Sequence, residues 1–280
     1  MTNENTFEAL GLAPRIVQKL AEQGITDPTP IQLKAIPEAL SGRDVMGIAQ
    51  TGTGKTAAFG LPMAHNLMKI GTKPEPKTVR GLILTPTREL AKQIADNLAA
   101  YTGGTHLKVN LVVGGASLNA QANRLARGTD LLVATPGRLI DLIERGAVEL
   151  DTARYLVLDE ADQMLDMGFI HALRRIAPLL PADRQTMLFS ATMPKLMAEL
   201  ADAYLTDPIR VEVSPPGKPA DKVTQGIHFV EQSSKTRLLI DHLDDHREDL
   251  ALVFTRTKHG ANRLATALEK AGYSVSAIHG

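Results

Sequence analysis

Two short stretches carry residue types that could handle a phosphate ester. Residues 48–56 read IAQTGTGKT, close to the GxxxxGK[ST] phosphate loop except that Ala49 stands where the first glycine usually falls. Gly52 and Gly54 can adopt backbone angles closed to other residues, so successive N–H groups can turn inward on one anion. A helix beginning near Lys55 adds the positive end of its dipole. Lys55 is placed to reach β- and γ-phosphates as a mobile cation, and the Thr56 hydroxyl to ligate Mg²⁺.

The second stretch, residues 155–162, reads YLVLDEAD and sets Asp159 and Glu160 just past four apolar residues. In doubly wound sheets, ligands sit beyond the carboxyl ends of strands. An aspartate there suits Mg²⁺, held through water, and the adjacent glutamate suits orienting and deprotonating an attacking water. Alone, a glycine-rich turn or a solvated acidic turn is an ordinary feature. A phosphate loop after one strand and a carboxylate pair after another point together to ATP hydrolysis. No NKxD-type segment of the kind that selects guanine is present, which favours adenine.

These residues need strands to present them. Short apolar, β-branched runs occur at 44–49, 81–85, 109–113, 131–135, 155–158, 187–190 and 209–213, separated by segments of helical period. In 88–100, for example, Leu90, Ile94 and Leu98 form one apolar face. The alternation predicts an α/β fold, a doubly wound parallel sheet with helices on both faces and right-handed crossovers.

The texture changes at 214–222, SPPGKPADK, which reads as a linker. The rhythm then restarts, with strands expected at 225–231, 250–255 and 274–278 and helices at about 234–245 and 258–271. The expected organisation is a complete domain over 1–213, containing a nucleotide-recognition region at 5–33, the linker, and part of a second domain over 223–280. A unit of about 60 residues buries only about 60% of its unfolded surface, so the second is expected to be a portion of a larger domain.

Composition narrows the partners. With 31 basic and 31 acidic residues the net charge is zero, so any polyanion site has to be local. There are no cysteines, which excludes disulfides and thiolate metal sites and suits a cytoplasmic location. The first residues, MTNENTFEALGLAP, lack the basic start and apolar run of a secretory signal, and no stretch approaches the ~18 apolar residues of a membrane span.

In order, the chain shows Phe7, GITDPTPIQ ending at Gln32, AQTGTGKT at 49–56, PTREL at 86–90, Gly114-Gly115, TPGR at 135–138, DEAD at 159–162, SAT at 190–192 and VFTRT at 253–257. This series resembles the DEAD-box RNA helicases of helicase superfamily two, and the residues around MLDMGF resemble their bacterial RhlE-type branch. The resemblance implies a RecA-like fold, ATP and Mg²⁺ as ligands, and RNA as partner. It places the adenine at Gln32, whose amide can donate and accept on one purine edge, with Thr26 nearby and Phe7 stacking on the base. The plain alternative for Phe7 is an N-terminal hydrophobic anchor.

By the same resemblance, residues Ala49, Gln50, Thr51, Gly52, Thr53, Gly54, Lys55 and Thr56 hold the phosphates, Lys55, Asp159 and Glu160 serve catalysis, and Thr56 and Asp159 hold the metal. Asp162, Ser190 and Thr192 couple nucleotide state to strand separation. Pro86, Thr87, Arg88, Gly114, Gly115, Thr135, Pro136, Gly137 and Arg138 face RNA. Small residues there let backbone N–H groups approach phosphates, the two arginines add charge, and 2′-hydroxyls mark RNA over DNA. Thr87 and Thr135 could also serve simply as helix caps. The expected binding is therefore to the backbone, independent of sequence and gated by ATP.

In the resembled family the second domain supplies arginines that complete the ATP site. The 280 residues are expected to bind ATP but to hydrolyse it weakly, since such arginines are typically worth ~10³ to 10⁵ in rate. Two other functions fit the same loop: an ATP-gated RNA clamp with little turnover, and a DNA translocase of the same superfamily. His242 and His246 have metal-like spacing but no third ligand, and read as one face of a helix. Met164, Met167 and Phe169 read as core.

Overall fold

The computed structural model describes residues 6–213, 224 and 226–279. The proposed linker, 214–222, lies outside them. Two compact units are present, Met1–Lys218 and Pro219–Gly280.

The first unit holds β1 (Val45–Ile48), β2 (Val79–Leu84), β3 (Val109–Val112), β4 (Thr129–Ala134), β5 (Tyr155–Leu158), β6 (Gln185–Ser190) and β7 (Ile209–Glu212). They form one sheet in the order β3-β4-β2-β5-β6-β1-β7, and every pairing is parallel. Each lies within two residues of an expected strand. The runs were readable because both faces of this sheet are covered, so successive side chains are all apolar rather than alternating. In β5, Val157 packs into one core layer while Leu156 and Leu158 pack into the other.

Helices α1 (Pro14–Glu22), α2 (Pro30–Leu40), α3 (Lys55–Met68) and α4 (Arg88–Tyr101) cover the Val157 face. The opposite face is covered by α5 (Leu118–Leu125), α6 (Pro136–Glu144), α7 (Ala161–Asp166), α8 (Ile170–Ile176) and α9 (Lys195–Tyr204). Helix α4 shows how sequence becomes packing. Thr87 Oγ1 accepts the Leu90 N–H at 3.2 Å, satisfying a donor of the first turn. Ile94 and Leu98 are then fully buried against the sheet, each worth about 1.5–3 kcal/mol.

Register places the chemistry. Leu84 pairs with both Ala134 and Leu158, Val112 with Ala134, Leu158 with Leu188, and Ile48 with Ser190. The carboxyl ends of β3, β4, β2, β5, β6 and β1 therefore open along one edge in that spatial order. The loops that follow them carry Gly114-Gly115, TPGR, PTREL, DEAD, SAT and the phosphate loop.

The second unit departs from expectation. Its helices, α10 (Lys235–Asp244) and α11 (Lys258–Lys270), fall where helical period puts them. The expected strands do not form among the described residues of 225–231, 250–255 and 274–278, and residue 225 lies outside those described. Phe229 is 98% exposed and Phe254 87%. Strand propensity is a preference for packing on a pleated, half-buried surface, and two helices give these runs too little to pack on. His242 stacks edge-on against His228, and His246 pairs with Asp249 at 3.1 Å. Among the described residues no three side chains group as metal ligands, and no helix is long and apolar enough to cross a membrane.

Candidate nucleotide site and nucleic-acid interface

The phosphate loop leaves β1 at Ala49, whose N–H donates to Ser190 O at 3.0 Å, and enters α3 at Lys55. Gly52 and Gly54 are both left-handed, with φ of +85° and +91°. Gly54 is fixed by packing as well, because a Cβ there would collide with the Gln32 amide and sit 3.0 Å from Thr29 Oγ1. Thr53 Oγ1 donates to Gln50 O at 2.8 Å, closing the loop on itself.

Lys55 points back under this loop. Its Nζ is buried, has no hydrogen-bond partner, and lies 3.8 Å from both Asp159 Oδ1 and Glu160 Oε1. Asp159 is 2% exposed, and burial pushes its carboxyl up to about 6, with Lys55 opposing and the neighbouring Glu160 and Asp162 adding to the rise. Glu160 has a left-handed backbone, φ +52°, and its Oε1 accepts the Thr51 hydroxyl at 2.9 Å. Thr56 occupies the first turn of α3, beside Lys55. A buried ammonium without a hydrogen-bond partner, 3.8 Å from two carboxylates and beside a loop turned by two left-handed glycines, fits a polyphosphate accompanied by a divalent cation.

Gln32 does something the sequence reading did not assign. Its Oε1 accepts the Thr29 N–H at 2.9 Å, the return bond of a capping box, and its Nε2 donates to Gly54 O at 3.0 Å. Both ends of the amide are thus engaged between the start of α2 and the phosphate loop. The signal was legible, since Thr29-Pro30-Ile31-Gln32 has capping-box spacing with proline at the first helical position. Thr26 is exposed and its hydroxyl donates to Asp27 at 2.8 Å.

Phe7 requires a correction. It is 2% exposed and packs into the core layer with α1 to α4, so neither ring face is open to a base. The anchor role wins because a short N-terminal segment has few other ways to bury apolar surface. Met167 is corrected in the opposite sense: it caps the C-terminus of α7 and is 50% exposed, whereas Met164 is fully buried.

Between the two ends of the site, Asp162 Oδ2 accepts the Thr192 N–H and the Thr192 hydroxyl, each at 2.9 Å. Ser190 Oγ donates to Thr192 O at 2.7 Å. On the far side, Pro86 is buried and Arg88 is exposed, its guanidinium lying against Gly115. Thr135 precedes α6 without a side-chain cap, followed by Pro136 and the exposed Gly137. Arg138 is committed within the protein: Nη1 donates to Ala116 O at 2.8 Å and Nε lies 3.4 Å from Asp141.

A parallel α/β sheet with a glycine-turned phosphate loop at one strand end and a carboxylate pair, Asp159 buried and Glu160 partly so, at another defines a P-loop nucleotide-binding domain. Comparison with known proteins refines the class. A family model described as DEAD/DEAH box helicase matches residues 29–200, and the chain belongs to that family. It is 42% identical over 283 residues to the RNA helicase CrhR of Synechocystis sp., covering 100% of this chain and 56% of that protein. It is 39% identical over 275 residues to the DEAD-box ATP-dependent RNA helicase RhpA of Helicobacter pylori, covering 98% and 55%. The chain therefore spans about half the length of the curated relatives it matches. The crystal structure of a DEAD box protein from the hyperthermophile Methanococcus jannaschii superposes with a TM-score of 0.69 at 35% identity, covering 99% of this chain and 73% of that one.

Proposed function

We propose that this chain is the ATP-binding part of an ATP-dependent RNA helicase that uses ATP binding and hydrolysis for local, sequence-independent separation of RNA strands. The observation that carries the reading is Lys55: its buried ammonium makes no hydrogen bond and is only loosely ion-paired, 3.8 Å from each of two carboxylates, which leaves its donors for an anion brought to the loop. Gly52 and Gly54 turn the loop amides toward that anion, and Lys55 meets the charge of its outer phosphates. Thr56 and Asp159 would hold Mg²⁺, which supplies counter-charge to the phosphates when bound. Glu160, held by Thr51, accepts the proton of the water that attacks the γ-phosphate.

Gln32 reads adenine on this view, exchanging its bonds to Thr29 and Gly54 for a purine edge. Pro86 to Arg88, Gly114-Gly115 and Thr135 to Arg138 form the backbone-binding edge, and Asp162 with Ser190 and Thr192 joins it to the nucleotide. The 280 residues alone are read as binding ATP and hydrolysing it slowly. The test is Glu160→Gln in the full-length protein. Binding of a fluorescent ATP analogue should persist while turnover falls by about 10² or more, the usual scale for a lost general base. Equal turnover in parent and variant would leave an ATP-gated clamp as the better description.

A further inference from the structure

Gln121, on α5, is a buried amide that neither the nucleotide site nor the RNA-facing motifs employ. Its side chain is part of a residue only 3% exposed. Oε1 accepts the Val113 N–H at 2.9 Å, and Nε2 donates to Val113 O at 3.1 Å. Nε2 also lies 3.4 Å from the carbonyl oxygens of Ala116 and Ser117. Strand β3 ends at Val112, so this amide gives Val113 the paired donor and acceptor that a neighbouring strand would have given. It extends the ladder by one residue on a side where the sheet has no further strand.

The segment it holds is Gly114-Gly115. Gly115 is left-handed, φ +79°, and the N–H groups of Gly114 and Gly115 donate to nothing among the described residues. Two arginines close on the same few residues, Arg88 against Gly115 and Arg138 through Ala116 O. Free amides in a left-handed turn, flanked by guanidinium groups, form a concavity suited to a phosphate oxygen. That concavity keeps its shape only while the carbonyls of Val113, Ala116 and Ser117 are turned inward, and the side chain that turns them is Gln121.

We infer that Gln121 is a positioning residue for RNA: by gripping the backbone on both sides of Gly114-Gly115, it aims their free N–H groups outward at the phosphate backbone. The inference rests on the reading of Gly114-Gly115 as RNA-facing. Arg138 takes part from the neighbouring strand end, its bond to Ala116 O joining the TPGR loop to the Gly-Gly loop.

The experiment measures RNA-stimulated ATPase in the full-length protein for Gln121→Met, which keeps volume but loses the amide, Gln121→Glu, which keeps the acceptor for Val113 N–H, and Gly115→Ala. The Met variant should raise the KM for RNA about tenfold, the scale of a lost buried hydrogen bond, with the KM for ATP and kcat at saturating RNA unchanged. The Glu variant, which turns a carboxylate oxygen toward the carbonyls of Val113, Ala116 and Ser117 in a buried site, should raise the RNA KM at least as much as the Met variant. Hydrogen exchange at Val113 should accelerate, which reports the loosened loop even in a poorly stable variant. If Gly115→Ala raises the RNA KM and Gln121→Met does not, the positioning role is wrong. If neither moves it, the RNA-facing reading itself falls, and with it this inference. Parallel loss of ATP affinity and kcat in the Met variant would mark a merely structural residue and also overturn the proposal.

Discussion

Asp162 and Thr192 meet through a single carboxylate oxygen, which accepts both the backbone N–H and the hydroxyl of Thr192 at 2.9 Å. The pair ties the first turn of α7, which follows β5, to the segment after β6, and Ala49 N–H, bonded to Ser190 O, ties β6 onward to the phosphate loop. On the proposed reading, a change at the nucleotide would have a short covalent and hydrogen-bonded route toward the strands whose loops are proposed to face RNA. Thr192→Val removes one of the two bonds and keeps the other. In the full-length protein we expect ATPase within about threefold of the parent and strand separation reduced about tenfold, since a hydrogen bond to a charged group is worth roughly 1.5–3 kcal/mol. Parallel loss of both activities in a gel-based unwinding assay would show that the pair serves the fold and not the coupling.

Gly54 offers a test of the nucleotide loop. Alanine there must hold φ near +91° and displace the Gln32 amide. The left-handed backbone alone costs an L-residue ~1–2 kcal/mol. Gly54→Ala should lower the thermal midpoint by several degrees and abolish saturable ATP binding in a calorimetric titration. Retained binding with an unchanged midpoint would mean that Gln32 and the loop are not coupled.

Asp159 gives the site a pH dependence whose sign can be worked out. Its carboxyl is raised from 3.8 to about 6, so the folded state binds the extra proton more tightly than the unfolded chain does. The stability this contributes is complete below pH 3.8 and lost as pH rises through 6, leaving an ionised carboxylate that costs the fold at neutral pH. A shift of about 2 units corresponds to about 3 kcal/mol. Asp159→Asn should therefore gain on the parent by up to that amount between pH 4 and pH 7.5 in urea unfolding. Binding of Mg²⁺-ATP to the parent should weaken below pH 6. A constant stability gap across that range would contradict the assignment.

His65 works in the other direction. Its Nδ1 accepts the Ala13 N–H at 3.0 Å, joining the segment before α1 to α3, and burial followed by Lys69 holds its pKa below the ordinary value. The neutral ring is what the fold needs, so this contribution is present above pH 6.5 and is lost as pH falls below it. His65→Ala should destabilise by about 1–3 kcal/mol at pH 8, the cost of a donor left unsatisfied, and by less at pH 5. Equal destabilisation at both pH values would mean that the ring packs there without titrating.

Much of this molecule could be read before it was seen, for a physical reason. A sheet covered on both faces writes each strand as a continuous apolar run, which is why residues 131–135 and 155–158 stood out, and the chemistry follows directly where those runs stop. Gln32 was legible only in part: the resemblance gave it a purine edge, while the capping-box spacing of Thr29 to Gln32 went unused. Phe7 could not be decided, because an aromatic near a chain end buries itself equally well in a core or on a base. Gln121 left no trace, since a polar residue in a polar helix declares nothing until the backbone it grips lies beside it. The second unit misled because β-branched runs announce a strand only when something flat lies next to them.

The left-handed turn at Glu160 has a consequence for how the acid pair works. Along an extended chain, consecutive side chains leave on opposite sides, and Asp159 would have shown its carboxylate to the loop while Glu160 faced away. One reversed dihedral folds the link over, so that both acids stand equally far from the same ammonium. Two neighbouring letters in the sequence thereby become two carboxylates at one address, and their shared approach to Lys55 hangs on the reversed backbone of a single residue.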